Sequence, residues 1–398
     1  MLSCTYVAVQ CVINTTLIAT LRRCIAARFG VILFPGIDAL KAISSQLIVL
    51  HHLAFYGPMS DAAHVLAPDL LDWFSQYARI AVQAFLVISG FLAARSLAPG
   101  GHLMVPRPLQ AIWRRYQKLV VPYTAAILIA IAGAAIARTW MHHDSIPGAP
   151  GLHQFLAHVL LLHNVLDFDA LSAGVWYVAI DLQLFALLMV ALWAARRCEQ
   201  WFGVGGSPMG PLVVAGLALA SLFWFNRDAT WDIWAIYFFG AYGMGTLAFW
   251  ASEPERSPVA LLVLCAVVLA ALVVDFRLRI AVALAIALLL GAARRGGWLE
   301  HWPQARFLAF FGRISYSVFL VHFPICLVVN ALVFHLAPHQ PVLNALGMVL
   351  AWLLSNAAGA LFHRYVESGA PLRALRLALW PAASEPGQQQ QAGQQRST

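Results

Sequence analysis

GIDALKAISSQLIVLHHLAFYG, residues 36–57, carries both the fold class and the chemistry of this chain. A helix of about 20 mostly apolar residues rises about 30 Å, the thickness of a hydrocarbon core, and satisfies its own backbone hydrogen bonds. Within that apolar length stand Lys41 and His52, eleven residues apart. Eleven residues make about three turns, so the two side chains share one face, about 16 Å apart along the axis. Ser45 lies between them on the same stripe, while His51 points about 100° away. Ionisable groups inside a span are costly, and each is a functional hypothesis by default. Snorkelling of Lys41 to the interface and a hydrogen-bonded core role for His52 are the plain alternatives.

The rest of the 398 residues has the same character. Hydrophobic residues make up 61% and charged residues 11%, with a mean hydropathy of +0.76. Soluble proteins carry about 25% charged residues, so this composition excludes a soluble enzyme and also a disordered chain. The net charge of +8 does not indicate a nucleic-acid partner. Its 25 Lys and Arg residues fall in short groups between apolar runs, as in cytoplasmic loops, rather than on one basic face. The six cysteines (Cys4, Cys11, Cys24, Cys198, Cys265, Cys326) show neither CxxC nor a framework spacing and suggest buried small hydrophobes, with no metal site.

Hydropathy predicts an all-α polytopic membrane protein with about ten spans, near 36–56, 77–95, 117–137, 174–195, 211–226, 231–250, 258–274, 277–293, 312–336 and 342–364. The apolar stretch 152–166 is too short and histidine-rich to cross, and is expected to form a re-entrant or interfacial helix. Residues 1–33 are expected to form an N-terminal cytoplasmic segment, an extra helix there being the weaker alternative, with 34–366 the transmembrane domain and 367–398 a cytoplasmic, Gln-rich disordered tail. With both termini inside, nineteen of the 25 Lys and Arg residues are cytoplasmic. Arg138, Arg227, Arg277 and Arg279 fall outside, and Lys41 and Arg79 lie within or at the edge of spans. The outer loop 138–173 is the longest and holds His142, His143, Asp144, His153, His158, His163, Asp167 and Asp169, a candidate lid or acceptor element without metal-ligand spacing.

Other polar groups sort by depth. Ser89 and Gly90, in FLVISGFLAARS, allow close approach of another backbone or of a ligand. Arg115 and Lys118, in WRRYQKLVVPY, suit either cytoplasmic anchoring or an anionic phosphate. Asp181, in GVWYVAIDLQLF, sits about two turns below the outer surface and needs a partner, for which His322 and His52 are the candidates. Trp176 and Tyr177 precede it, and Tyr316 lies toward the cytoplasmic end of span nine. Two layers result. Lys41, Ser89, Arg115 and Lys118 form a cytoplasmic basic layer suited to a phosphorylated ligand. His52, Asp181 and His322 form a middle-to-outer layer suited to general base catalysis on a hydroxyl.

These segments resemble the membrane-bound acyltransferase family three, which includes polysaccharide and O-antigen O-acetylases. Lys41 and His52 match the family's Arg, ten residues, His in its first span; Ser89–Phe91 matches SGF, and Arg115–Lys118 an Arg-x-x-Arg pair. WYVAIDLQLF is similar to the family's Trp–Ser-Leu–Glu–Phe-Tyr pattern, and ISYSVFLVHFP to SYxxYLxHFP. The motifs run in order over residues 34 to about 366. Lys41 and Lys118 stand where Arg is usual, keeping charge without the bidentate fork, and Asp181 stands where Glu is usual.

The resemblance implies transfer of an acyl group, usually acetyl, from cytosolic acyl-CoA to a hydroxyl of a cell-envelope or lipid-linked carbohydrate. It implies acyl-CoA as co-substrate with no permanently bound cofactor, and a bacterial inner membrane as location. In that frame Lys41, Arg115 and Lys118 hold the CoA phosphates, with Ser89 beside them. His52 is the general base, Asp181 orients or charges a histidine, His322 is a second polar partner, and Trp176 and Tyr316 line the site. A transporter or exporter of a glycan or lipid precursor, its pathway lined by the same polar stripe, is the alternative.

Overall fold

The computed structural model describes residues 34–203, 207–301 and 305–369. The expectations for residues 1–33 and for the tail from residue 370 lie outside them. Among the described residues there is no strand, and ten helices have fifteen residues or more. They are α1 Pro35–Phe55, α2 Val82–Leu97, α3 Pro108–Trp140, α4 Val175–Phe202 and α5 Met209–Phe223, followed by α6 Ala235–Ala251, α7 Val259–Val274, α8 Leu278–Arg295, α9 Arg306–Leu336 and α10 Pro341–Phe362. Each coincides with an expected span. The protein is an all-α polytopic membrane protein, with six candidate spans that are both long and strongly apolar, while α6 and α7 are shorter apolar helices. Proline opens α1, α3 and α10, where its missing N–H would have had no helical partner anyway.

The chain divides into two compact units, and four of the five divisions fall inside α1, α3, α4 and α9. The first comprises residues 34–47, 79–112 and 183–313 among those described. Its centre is the seam between α2 and α6, where small residues let backbones touch. A Cβ on Gly90 would collide with the Tyr242 carbonyl, and one on Gly245 with the Val87 carbonyl. The Thr246 hydroxyl bridges the same seam, 3.1 Å from the Gly90 carbonyl and 3.2 Å from that of Tyr242. Close contact of this kind replaces hydrophobic burial as the driving force in lipid. The outer arginines that depart from the positive-inside pattern have local partners here. Arg277 donates to Asn226 and to the Leu222 carbonyl, both at 2.8 Å, and Arg279 to the Asn226 carbonyl at 2.7 Å.

The second unit comprises residues 48–78, 113–182 and 314–369. Its core joins Ala137 and Met141 to Phe323, Leu327 and Ala331, with Tyr56 and Phe334 packed against them. Gly133 of α3 meets Pro324 of α9 at a distance where a Cβ would lie 3.0 Å from the proline ring. Asn330 fastens the turn after α1: its amide donates to the Tyr56 carbonyl at 2.9 Å, and its oxygen accepts from the Met59 N–H at 3.1 Å. Gly57 has φ of 93°, and a side chain there would strike Asn330, so glycine is required at this turn. The clamp fixes the end of α1 one turn beyond His52.

The segment between α3 and α4 folds inward. A short helix, Leu152–Val159, ends with the Val159 carbonyl accepting from the Tyr116 hydroxyl at 3.1 Å. Tyr116 lies 24 residues before the end of α3, which is about 36 Å of helix. The loop that leaves α3 at Trp140 therefore returns to the level of Tyr116, two turns from the start of α3, and the helical part of 152–166 is Leu152–Val159.

Candidate active site

α1 and α9 bring His52 and His322 into direct contact. His52 is 8% exposed and His322 fully buried, their rings stack at 4.9 Å between centroids, and His52 Nδ1 lies 2.7 Å from His322 Nε2. His322 Nδ1 is 3.0 Å from the Val318 carbonyl, one turn back on its own helix. A carbonyl can only accept, so in the neutral pair Nδ1 of His322 carries the proton and its Nε2 is the acceptor. The proton between the rings then belongs to His52 Nδ1. That leaves His52 Nε2 with an in-plane lone pair, the form a general base needs. Tyr56 and Phe323 meet the His52 ring edge-on at 5.3 and 6.1 Å and hold its plane. His51 faces away, as helical spacing requires, and bonds the Phe74 carbonyl at 3.1 Å.

The expected partners of Asp181 are corrected. Asp181, 5% exposed, accepts a charge-assisted bond of 2.6 Å from Arg115 and reaches neither His52 nor His322. The two-layer assignment that put Asp181 with the histidines fails for a geometric reason. The ion pair sets Asp181 level with Arg115 of α3, whereas depth counted from the start of the apolar run 174–195 sets it level with His52. The buried carboxylate still has a partner, but that partner is a cation.

Tyr316 of α9 completes this second polar centre. Its hydroxyl is buried without a hydrogen-bond partner, within electrostatic reach of Asp181, Arg115, Glu367 and Tyr123. The Tyr123 hydroxyl is likewise buried and without a bond. Glu367 Oε2 accepts from the Ser317 hydroxyl at 2.6 Å and from His363 Nδ1 at 3.0 Å. His363 and Glu367 escaped sequence reasoning. The signal is present in HRYVE, residues 363–367, where a histidine and an acid four apart close the last span.

The remaining expected residues are placed more simply. Lys118 is exposed on α3. Lys41 makes an ion pair of 3.7 Å with Asp38 on its own helix. Ser89 sits half-buried beside the Gly90 seam, where helix packing accounts for the small residues. Trp176 is half-buried in the first turn of α4, edge-on to Tyr177 at 6.1 Å, and Tyr177 meets Phe319 at 5.5 Å.

In the re-entrant segment His158 is a structural tie. Its Nδ1 donates to the Gln154 carbonyl at 2.8 Å and its Nε2 accepts from the Leu171 N–H at 3.1 Å. His163 stacks on it at 4.2 Å, with both ring nitrogens buried and without partners. Among the described residues no three His, Cys, Asp or Glu side chains gather to hold a metal ion.

No curated protein and no solved structure matches the chain. The acyltransferase domain family known as acyltransferase family three does match, over residues 34–378, and the chain belongs to that family.

Proposed function

We propose that this acyltransferase moves an acyl group, acetyl in the first instance, from cytosolic acyl-CoA to a hydroxyl of a cell-envelope or lipid-linked carbohydrate in the bacterial inner membrane. The observation that carries the reading is the oriented histidine pair. Val318 fixes the tautomer of His322, His322 fixes that of His52, and His52 Nε2 remains for the acceptor hydroxyl. In the transfer step Nε2 takes the hydroxyl proton as the oxygen attacks the thioester carbonyl. The new C–O bond forms, the C–S bond breaks, and the imidazolium proton is available to the departing thiolate. His322 is a positioning residue that also shares the charge developing on His52.

Arg115 and Lys118, three residues apart on α3, provide cations for the phosphates of the donor. Asp181 holds the Arg115 guanidinium in place, and the Tyr316 hydroxyl, a donor without a bond in the same centre, is available to the donor's polar groups. The donor role of Lys41 and Ser89 rests on their place in the cytoplasmic basic layer and on the resemblance. The test is acetyl transfer from labelled acetyl-CoA in membranes containing the protein or its His52→Ala variant, together with the O-acetylation of surface glycans with and without the gene. Label on a glycan that depends on His52 supports the reading. Movement of a glycan or lipid precursor without acylation supports a transporter instead, and transfer by His52→Ala at the unsubstituted rate removes the assignment of the base.

A further inference from the structure

The first unit contains a cleft of about 360 Å³ that the acyl-transfer reading does not use. It is lined by Phe34 just before α1, Arg95 in the last turn of α2, Phe249 and Glu253 at the end of α6, and Arg294 and Arg295 in the last turn of α8. All these helix ends lie on the side that the arginine count assigns to the cytoplasm. Three guanidinium groups thus face one carboxylate among the described lining side chains.

The cations are held in place before any ligand arrives. Arg95 lies over the Phe34 ring and Arg294 over the Phe249 ring, each with its Cζ 4.1 Å from the centroid. Arg294 donates to the Phe249 carbonyl at 2.6 Å, to the Ser252 hydroxyl at 3.3 Å and to Glu253 at 2.7 Å. Arg295 donates through Nη1 alone, to the carbonyls of Glu253 at 3.0 Å and Arg256 at 2.9 Å. The Phe249 carbonyl, in the last turn of α6, and the Glu253 and Arg256 carbonyls beyond it are therefore already engaged, and N–H groups of Arg295 remain. A rigid basic cleft with aromatic walls, at the cytoplasmic ends of membrane helices, matches the chemistry that seats lipid phosphates, and its volume is at the lower end of small-ligand sites.

We propose that this cleft binds a phosphate ester, with the headgroup of an anionic phospholipid and a soluble phosphate as its two sources. The cleft shares no lining residue with the histidine pair, and its test reads binding, so it stands or falls independently of the catalytic assignment. The full chain is placed in phosphatidylcholine nanodiscs with or without phosphatidylglycerol, or with inorganic diphosphate added to phosphatidylcholine alone. Lipid retention is followed by native mass spectrometry, and the anion-dependent rise in melting temperature by a thermal scan. Arg95→Gln and Arg295→Gln are each expected to weaken binding about fivefold, and Glu253→Gln to strengthen it. A response to phosphatidylglycerol alone assigns the lipid source, and a response to diphosphate assigns a soluble one. If the arginines serve only to cap α6, Glu253→Gln lowers the melting temperature without anion and leaves the anion response unchanged, and the proposal fails. Equal anion responses in the unsubstituted chain and both arginine variants overturn it as well.

Discussion

The second unit contains two stacked histidine pairs that do opposite work. His52 and His322 lie 4.9 Å apart with planes inclined by 21°, and His158 and His163 lie 4.2 Å apart at 14°. Ring geometry does not separate them; the partners of the nitrogens do. In the first pair the hydrogen bonds run in one direction, carbonyl to His322 to His52, and end on His52 Nε2, which has no hydrogen-bond partner among the described residues. In the second pair His158 has both nitrogens on backbone groups, and His163 has neither nitrogen bonded. A relay with an open end can move a proton, whereas a closed tie can only hold a loop.

The largest expected effect breaks the comparison at its open end. His52→Ala removes the base and is expected to lower acetyl transfer by about 10³-fold or more at an unchanged melting temperature. The matching change in the other pair, His163→Leu, is expected to leave the rate within about twofold, because neither of its nitrogens is positioned to exchange a proton. Rates of the two variants measured side by side in membranes are the check, and a loss in His163→Leu comparable to that in His52→Ala would erase the distinction between the pairs.

Asp181 comes next, since the sequence alone suggested that it served a histidine. Asp181→Asn leaves the Arg115 charge without its carboxylate and is expected to destabilise by about 3 kcal/mol, the lower end of the range for a broken buried pair because Arg115 is partly exposed. The double variant Arg115→Met, Asp181→Leu should recover most of that stability in a thermal scan. Neither change should alter the pH dependence of transfer in the way that loss of His322 does. A shared pH signature would tie Asp181 to the histidines after all.

The error over Asp181 marks where sequence reasoning stopped. Residues such as Lys41 and His52, set in an apolar run, are legible because lipid tolerates so few charges, and the same rule located all ten long helices. It counts depth from the ends of apolar runs, however, and α3 extends to Pro108 and α9 to Arg306 through charged turns that hydropathy discounts. The re-entrant segment was recognised, but the reach of its tip to Tyr116 depends on tertiary packing that no periodicity encodes. Glu367 was missed because its partners, Ser317 and His363, become neighbours only when α9 and the turn after α10 come together.

His322 sharpens the comparison further. His322→Ala deletes the acceptor for His52 Nδ1–H, and by analogy with other groups that orient a functional histidine it is expected to cost about 10- to 100-fold in kcat with little change in KM. His322→Gln can still accept that N–H through its amide oxygen and should restore a good part of the rate. Steady-state kinetics of the two variants distinguish positioning from bulk packing: if Gln is no better than Ala, the ring acts by shape and the relay is not functional.

The smallest effect concerns the closed pair and follows from pH. Burial holds His158 below the ordinary histidine range and pushes His163 down to about 3, with His158 beside it adding to the shift. An unfolded loop titrates near the ordinary value of about 6.5, so below that pH the unfolded state binds protons that the folded segment excludes. Stability present at neutral pH is therefore lost as the pH falls, by up to about 2 kcal/mol from His163 at about pH 5. The protection factor of the Leu171 amide, whose N–H His158 accepts, reports the opening directly once the intrinsic exchange rate at each pH is divided out, and it should fall between pH 7 and 5. His163→Leu replaces buried nitrogens that have no partners, so at neutral pH it should slow exchange, by up to about 1 kcal/mol of added stability, and remove much of the acid sensitivity. If acid sensitivity is undiminished in that variant, His163 is not the group being protonated, and the tie rests on His158 alone.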